Sequence, residues 1–387
     1  MYKMKKATAL LIIFLLLNTS IVAIGIESFS PNRSLLKKQI DSLHPLSKIS
    51  LNNKIQNYQE KLYKSFQSKV NNLVGDFVFS PEDIELKDDA FHGADTLHFT
   101  EWWYFDAVFD NGYTAQMGIR VLSVINPGLV FVKLDLYKDG GLKSHELKKY
   151  FIWDFYASEE VPLIKLKGKQ VMECHINETT GDWVYDLSLE LDKSSVELRF
   201  IGCTKGWKGS TPGGMWAAIL PRADVSGTIK LKNEEINVSG MGYHDHNWEI
   251  TAFTGINFGW FWGKVNSNSY TMTWSEIMMT RFWGQPLLVI NKKNDDYMNI
   301  EPKDIQFCAK DVRIENGMLV PYSFVLEVQK EDVSLQINMD VIDTHHVRWA
   351  GIVNYWRYHI RCTGSITVDS QTEIIDEIQL AEYIRFR

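Results

Sequence analysis

The stretch Tyr185-Asp186-Leu187-Ser188-Leu189-Glu190-Leu191 places an apolar or aromatic side chain at every second position, with polar residues between them. Successive side chains of a β-strand point to opposite faces, so this period of two predicts a strand with one buried and one wetted face. The run from Val333 to Met339 repeats the pattern, and similar runs stand at 130–138, 226–232, 270–275 and 323–328. Most of the chain is therefore predicted to form antiparallel β-sheet.

Short breaks that contain Gly or Asn separate many of these runs, as at Asp110-Asn111-Gly112, Asp139-Gly140-Gly141 and Glu315-Asn316-Gly317. Such breaks favour hairpin turns. No long helical pattern follows residue 80, which indicates the all-β class with antiparallel sandwiches or barrels. Roughly 300 residues of strand exceed one such unit, so two packed β domains are predicted over 76–250 and 251–387. The boundary is expected within 249–258.

The residues before position 76 have a different composition. Within 27–75, apolar residues recur every three or four positions, which predicts a short helical segment with Gly75 at its C-terminal cap. The apolar positions of this helix are Leu51, Ile55, Tyr58, Leu62, Phe66, Val70 and Leu73. The segment is interpreted as a helix packed on the main body or as a spacer from a membrane.

The first 26 residues have the pattern of an export signal. Lys3, Lys5 and Lys6 precede an apolar run from Ala7 to Leu17, which continues after a polar break to Ile26. This order is typical of a signal peptide, and the length also allows an uncleaved membrane anchor. We therefore expect an extracytoplasmic protein of the cell envelope that is either secreted or anchored through its N-terminus.

Composition excludes one broad class of function. The 387 residues are 45% hydrophobic and 23% charged, as in ordinary globular proteins, and the net charge is −7. Because the chain also has no basic patch interleaved with aromatics, a nucleic-acid partner is not expected. The four cysteines follow no metal-ligand spacing, so buried free thiols are favoured, and no disulfide pairing can be assigned. All 13 tryptophans follow residue 100, which places the function in that part.

The first aromatic cluster runs from Glu101 through Trp102, Trp103, Tyr104 and Phe105 to Asp106. On a strand, Trp102, Tyr104 and Asp106 share one face, while Glu101, Trp103 and Phe105 share the other. Large aromatics on both faces predict that one face covers a core and the other lines a cavity for an apolar ligand. A tryptophan plugging a barrel end is the purely structural alternative.

The second cluster is Gly242-Tyr243-His244-Asp245-His246-Asn247-Trp248. Alternation places Tyr243, Asp245 and Asn247 on one face, and the two histidines with Trp248 on the other. Three interpretations stay open. Asp245 with Tyr243 can serve as a protonated acid in an apolar cavity. His244 and His246 can form a metal pair completed by a further histidine. The histidines can also simply hydrogen-bond to nearby carbonyls and carboxylates.

Two further aromatic segments extend this prediction. Trp260 and Trp262 share one strand face between Gly259 and Gly263, which allow close backbone approach. Trp216 follows the loop Thr211-Pro212-Gly213-Gly214. We expect these tryptophans to shape the same cavity, either near the interface of the two β domains or in the mouth of the first domain.

The two clusters in this order, with the segment from Trp216 to Pro221 between them, resemble the carotenoid 1,2-hydratase (hydroxyneurosporene synthase) and AttH-like family. The resemblance covers about residues 76–387 and implies two lipocalin-like β domains. It implies hydration of a terminal isoprenoid double bond without a redox cofactor, or cyclisation of a polyene. The family's essential Tyr-x-Asp falls on Tyr243 and Asp245, and its loop tryptophan on Trp216. The family's motif has a histidine two residues before that tryptophan, where this chain has Gly214.

The leading hypothesis is therefore a hydro-lyase or cyclase that needs no cofactor and acts on an isoprenoid or polyene. Asp245 is the predicted general acid, supported by Tyr243 and Trp216. The predicted ligand-binding residues are Trp102, Trp103, Tyr104, Trp248, Trp260 and Trp262, and the predicted polar support comes from Glu101, His244, His246 and Asn247. A non-catalytic envelope carrier of lipids and a metal-dependent hydrolase using His244 and His246 are the alternatives.

Overall fold

The computed structural model describes residues 79–93, 99–123, 128–251, 259–278, 284–315, 317–349 and 353–386. The predicted export segment and the predicted helix within 27–75 lie outside these residues. The strands are β1 (Glu82–Asp83), β2 (Phe99–Phe109), β3 (Tyr113–Leu122), β4 (Leu129–Lys138), β5 (Gly141–Phe151), β6 (Phe155–Ala157), β7 (Leu163–Leu166), β8 (Lys169–Ile176), β9 (Trp183–Glu190), β10 (Ser194–Gly202), β11 (Trp207–Thr211), β12 (Gly214–Leu231), β13 (Glu234–Thr251), β14 (Gly259–Asn266), β15 (Tyr270–Met278), β16 (Gly284–Lys292), β17 (Tyr297–Ile300), β18 (Ile305–Glu315), β19 (Met318–Lys330), β20 (Val333–Trp349), β21 (Val353–Val368) and β22 (Gln371–Phe386).

Three short 3-10 helices join these strands in the described residues, at Leu86–Asp89, Ile152–Asp154 and Pro302–Asp304. No helix in the described part of the chain is long and apolar enough to cross a membrane. Every strand pair is antiparallel, so the predicted all-β class is confirmed.

The first sheet runs in the order β5-β4-β3-β2-β13-β12-β10-β9-β8-β7-β6, with β11 pairing β12 and β1 pairing β11. It curls into a nearly closed barrel. The predicted alternation of β9 is confirmed, because Tyr185, Leu187 and Leu189 are buried in the barrel core while Asp186 and Ser188 are not fully buried. The strands bend into a barrel because this apolar face leaves water.

The second sheet has the order β17-β16-β15-β14-β22-β21-β20-β19-β18 and forms a half-barrel. Its β20 strand buries Val333, Leu335, Ile337 and Met339 in a separate core, as the sequence pattern predicts. The hairpin at Asp139-Gly140 has positive φ angles of 52° and 81°, which is the backbone that a two-residue turn between twisted strands requires.

The polypeptide leaves the first sheet after Thr251 and enters the second at Gly259, in the interval where the sequence predicts a domain boundary. Both sheets belong to one compact unit over Asp76–Phe386. The assignment of two separate domains therefore stays a prediction. All four cysteines are free thiols, and Cys203 and Cys362 are buried.

A third apolar cluster lies between the two sheets and joins them. From the first sheet it takes Tyr104, Trp216 and Tyr243, and from the second sheet Trp262 and Ile277. The face of β2 and β13 that does not enter the barrel core is therefore covered by the second sheet. A layer between two sheets is a common location for a ligand site, because both walls are rigid.

Candidate active site

A cavity of about 260 Å³ lies between the two sheets at the edge of this third cluster. The first sheet supplies one wall and the second sheet supplies the other. The residues that line it include Trp102, Tyr104, Gly118, Arg120, Lys133, Trp216, Asp245 and Asn247 from the first sheet, and Trp260, Trp262, Ser275, Ile277, Tyr355, Glu382 and Ile384 from the second.

Strand register explains why these first-sheet residues meet. Asp245 on β13 pairs with Tyr104 on β2, Tyr104 with Gly118 on β3, and Gly118 with Lys133 on β4. Directly paired residues project from the same face of a sheet, so the four positions form one row across the cavity wall. Gly118 has no side chain, and this leaves room between Tyr104 and Lys133.

A second row runs parallel to the first. Trp216 pairs with Asn247, Asn247 with Trp102, and Trp102 with Arg120. On the opposite wall, Ile277, Trp260, Ile384 and Tyr355 form a row of their own. The cavity is thus enclosed by residues that are far apart in sequence.

Asp245 is the acid of this cavity, and three donors contact its carboxyl group. The Tyr243 hydroxyl donates to Oδ2 over 3.0 Å, and Trp216 Nε1 donates to the same oxygen over 3.2 Å. Asn247 Nδ2 donates to Oδ1 over 3.1 Å. The predicted shared face of Tyr243, Asp245 and Asn247 is confirmed by these contacts.

Burial raises the pKa of Asp245 well above its usual range, and the negative charges of Glu382 and Asp106 add to the rise. The hydrogen bonds from Tyr243 and Trp216 act in the opposite direction, but burial outweighs them. Burial therefore favours the protonated form of this carboxyl group. A protonated Oδ1 keeps a lone pair for Asn247, so the neutral acid satisfies all three donors.

Aromatic rings surround this acid. Trp262 packs edge-on against Tyr104 with ring centres 5.4 Å apart, and its ring centre lies 5.0 Å from that of Tyr243. Trp260 Nε1 donates to Glu382 Oε1 over 2.7 Å. The predicted cavity residues Trp102, Tyr104, Trp216, Trp260 and Trp262 are therefore brought together by the structure.

Charged side chains also lie at or next to the cavity. Lys133 forms an ion pair with Asp135 over 2.8 Å, and Arg357 pairs with Glu382 over 3.0 Å. Arg120 stacks on Trp102, with its guanidinium carbon 4.4 Å from the ring centre. No sequence pattern marks these charged residues, because they lie on β3, β4, β21 and β22 among ordinary strand residues.

The other face of β13 carries a different polar cluster. His244 Nε2 lies 3.0 Å from Asp89 Oδ2, and its Nδ1 lies 2.9 Å from the carbonyl oxygen of Tyr104. His246 Nε2 lies 3.0 Å from Glu101 Oε1, and its Nδ1 lies 3.1 Å from the Asp88 carbonyl oxygen. Each ring therefore has an oxygen acceptor within hydrogen-bond distance of both of its nitrogens.

This second cluster includes one set of potential metal ligands. His92, Glu101 and His246 present atoms that all lie within 4.8 Å of one another, whereas His244 is not part of that set. Burial alone would raise the pKa of Glu101, but hydrogen bonds from His246 and His92 hold it at about 2. The predicted pairing of His244 with His246 in one metal site is therefore not among the potential ligand sets of the described residues. Metal binding by His246 itself is tested by elemental analysis of the purified protein.

Two predicted ligand-binding tryptophans, Trp103 and Trp248, lie on the face of the first sheet that points into the barrel core. The Trp103 ring stacks on His246 at 4.5 Å, and its Nε1 donates to the Asp89 carbonyl oxygen. Trp248 stacks on His92 at 4.1 Å. Trp103 borders the cavity, but both rings pack with the barrel core, because strand alternation turns them away from Trp102 and Asp245. Glu101, His244 and His246 are likewise separated from Asp245, so of the predicted polar support only Asn247 touches it.

Gly214 occupies the position where the resembled family has a histidine. Its φ is +128°, and an added Cβ would meet Ile250 Cγ1 at 2.7 Å and the Trp248 carbonyl oxygen at 2.8 Å. Residues with a side chain rarely adopt this backbone, so the position is built for glycine. A third catalytic side chain therefore does not come from position 214.

One solved structure agrees with this fold. No protein-family model matches the chain. Its sequence is 20% identical over 302 residues to hydroxyneurosporene dehydrogenase of Chlorobaculum tepidum, covering 66% of this chain and 77% of that protein. The crystal structure of an AttH candidate from Nitrosomonas europaea superposes with a TM-score of 0.58 at 16% identity, covering 79% of this chain and 98% of that one. Kievitone hydratase from Nectria haematococca gives a TM-score of 0.49 at 11% identity, covering 78% and 93%. The chain has an AttH-like, lipocalin-type fold.

Proposed function

We propose that this protein is a cofactor-independent hydro-lyase or cyclase that binds an isoprenoid or polyene in the cavity between its sheets. The observation that carries the proposal is the position of the Asp245 carboxyl group, which faces an aromatic cavity and is held by Tyr243, Trp216 and Asn247. A neutral acid in an apolar, aromatic site is the group that acid-catalysed alkene chemistry needs.

The reaction is redox-neutral. Asp245 gives its proton to one carbon of a double bond, so that an O–H bond breaks, a C–H bond forms and a carbocation develops at the other carbon. The ring faces of Tyr104 and Trp262 stabilise that positive charge. In hydration, water attacks the cation and its surplus proton returns to the Asp245 carboxylate. In cyclisation, a second double bond attacks, and loss of a neighbouring proton restores the acid.

The three donors around Asp245 have a defined part in this step. As the proton leaves, negative charge grows on the carboxyl oxygens, and hydrogen bonds to charged groups are stronger than those to neutral ones. Tyr243, Trp216 and Asn247 therefore stabilise the transition state more than the resting acid. This differential stabilisation is what accelerates a chemical step.

The sequence relative supports the substrate class, since its name refers to hydroxyneurosporene, and the resemblance of the motifs points to the same carotenoid-type polyenes. Export to the cell envelope and membrane association through the N-terminus are part of the proposal and rest on the first 26 residues. The oligomeric state is left open.

Gly214 favours a second candidate function, a non-catalytic carrier of lipids or hydrophobic metabolites. The resembled family has a histidine at that position, and the backbone here has no space for one. A carrier would bind its ligand and release it unchanged.

The substitution Asp245→Asn tests the proposal. Lycopene and geranylgeranoic acid, two acyclic isoprenoids, are incubated with the protein, and mass spectrometry follows the gain of one water or conversion to a cyclic isomer. The variant should lose about 10²–10⁴-fold in turnover, the typical contribution of a general acid, while still binding ligand.

Glu276→Gln is the matched control. Burial raises the pKa of Glu276 to about 8, but its side chain is not among those that line the cavity, so turnover should not change. An Asp245→Asn protein with wild-type turnover would rule out the mechanism. A wild-type protein that binds both isoprenoids without converting either would favour the carrier.

A further inference from the structure

A cavity built only for a hydrocarbon needs no cationic side chains in its wall, yet Arg120 and Lys133 both line this one. Removing a charge from water without a partner costs several kcal/mol. A cation in the cavity wall that has no hydrogen-bonded carboxylate therefore indicates a negatively charged group on the ligand.

The acidic residues at the cavity are already engaged. Asp135 pairs with Lys133 over 2.8 Å. Glu382 accepts from Arg357 at Oε2 over 3.0 Å and from Trp260 at Oε1 over 2.7 Å. The carboxyl group of Asp245 accepts from Tyr243, Trp216 and Asn247, and burial favours its neutral form.

Arg120 is left without such a partner. Its guanidinium makes no side-chain hydrogen bond or ion pair with any residue among those that the structure describes. It lies on the Trp102 ring at 4.4 Å, and Trp102 and Arg120 are directly paired on neighbouring strands. Stacking on an indole fixes the plane of a guanidinium and leaves its N–H edge free to donate. Burial lowers the pKa of Arg120, and the nearby charge of Glu382, which makes no hydrogen bond to the guanidinium, offsets only part of that effect.

A second cation strengthens the positive potential behind the same wall. Arg357 is fully buried, and its carbon Cζ lies 5.3 Å from the ring centres of both Tyr104 and Tyr355, which line the cavity. Its Nε and Nη1 have no hydrogen-bond partner within the described ranges. Three cationic side chains, Arg120, Lys133 and Arg357, thus lie beside two carboxyl groups, Asp135 and Glu382.

We infer that the cavity binds a ligand with an apolar body and one oxyanion, a carboxylate or an enolate, and that Arg120 is the residue that binds this group. The inference rests on the proposed function for the apolar part of the ligand and adds its head group. An oxyanion accepts two parallel N–H bonds from the free edge of a guanidinium and supplies the missing negative charge.

The register also fixes where this group lies relative to the acid. Arg120 is two strands away from Asn247, the neighbour of Asp245, along the row Asn247-Trp102-Arg120. Adjacent strands are about 4.8 Å apart, so the oxyanion site is roughly 10 Å from the reacting double bond. The double bond that Asp245 protonates and the oxyanion that Arg120 binds are therefore at different ends of one ligand.

Retinoic acid and retinol test this inference, because they share one polyene body and differ in the head group. Quenching of tryptophan fluorescence gives both dissociation constants. Wild-type protein should bind the acid about 10- to 100-fold tighter, the range expected for hydrogen bonds to a charged group. Arg120→Gln should remove this preference and leave retinol binding unchanged. Arg199→Gln is the control, since it removes one exposed positive charge on β10 and should preserve the preference.

Each other outcome overturns a defined statement. Equal binding of the two retinoids to wild-type protein would overturn this inference alone. A preference for the acid that survives Arg120→Gln would overturn the role of Arg120. Failure of both retinoids to bind would overturn the inference together with the ligand class of the proposed function, whereas loss of the mechanism alone would appear only in the Asp245→Asn turnover measurement.

Discussion

The two faces of strand β13 carry polar clusters of opposite character. On the cavity face, Asp245 is a neutral acid next to open space. On the barrel face, His244 and His246 pair with Asp89 and Glu101, and all four side chains are at most 1% exposed. Five consecutive residues of one strand therefore contribute to two separate electrostatic environments.

The contrast between Asp245 and Glu101 shows what sets the state of a buried carboxyl group. Both are buried, and burial raises the pKa of each. Glu101 has His246 and His92 beside it, and its pKa falls to about 2, while the neighbours of Asp245 are a phenol, an indole and an amide. Histidine neighbours stabilise the ionised form of a buried carboxyl group, whereas neutral donors leave its pKa raised. The first arrangement suits a structural network, and the second suits proton transfer.

The largest expected effect on stability comes from Glu101→Gln. A pKa that falls from 4.5 to about 2 on folding corresponds to roughly 3 kcal/mol at neutral pH. Because the folded pKa is depressed, this contribution is present above pH 4.5 and disappears as the pH falls through 2. Urea unfolding at several pH values should show the variant about 3 kcal/mol less stable at pH 7 and equal to wild type near pH 2.

Asp245→Asn should change stability in the opposite direction and serves as the paired variant. Its folded pKa is raised, so the wild-type residue contributes stability below pH 4 and loses it as the pH rises toward the folded pKa. The variant should therefore be as stable as wild type at pH 7 or more so. If both substitutions destabilise the protein equally at pH 7, the contrast between the two faces is wrong.

A smaller effect is expected for Tyr243→Phe. The lost hydroxyl donates to Asp245, and a hydrogen bond to a developing carboxylate is worth at least about 1.5 kcal/mol, which is about tenfold in turnover. The same bond lowers the pKa of Asp245, so the alkaline limit of activity should move to higher pH.

Tyr185→Phe is the matched control for the barrel face. Its hydroxyl donates to Asp89 Oδ2 over 2.7 Å, at a distance from the cavity lining. It should reduce stability without moving the pH limit of activity. An equal shift of that limit in both variants would contradict the separation of the two clusters.

The smallest expected effect comes from filling the cavity with a larger side chain at Gly118. An added Cβ at Gly118 meets only the Trp103 carbonyl oxygen within 4 Å, at 3.6 Å, an ordinary contact. Gly118→Leu should therefore fold normally and fill the space between Tyr104 and Lys133, weakening retinol binding by at least about tenfold, or 1.4 kcal/mol. Gly118→Ala should bind nearly as well as wild type. Undiminished binding by the leucine variant would place the ligand elsewhere.

Many of the strands and their buried faces could be predicted from side-chain alternation in the sequence. Alternation in 185–191 and 333–339 identified strands and their buried faces, and the same rule placed Tyr243, Asp245 and Asn247 together. Alternation also places Trp248 and His246 on the face of β13 away from Asp245, although the aromatic clustering predicts Trp248 as a ligand-binding residue. The separation of Trp103 and Glu101 from Asp245 depends in addition on the pairing of β2 with β13.

Arg120, Lys133 and Glu382 could not be assigned to the site in advance. Their strands are ordinary in sequence, and their role depends on β3 and β4 lying beside β2, and on β22 facing them from the second sheet. Pairing partners such as Tyr104 and Asp245 are more than a hundred residues apart. No local period encodes such a separation.

The all-β class, the faces of the strands and the common orientation of Tyr243 with Asp245 follow from the amino-acid sequence, because side-chain alternation is a property of each strand alone. The fold is needed to show that Asp245 faces a cavity, that the histidines of the same strand are enclosed with Glu101, and that the Arg120 guanidinium has no hydrogen-bonded carboxylate among the described residues. Those properties arise from strand register and from the packing of one sheet on another, which set the burial and the charged neighbours of every group.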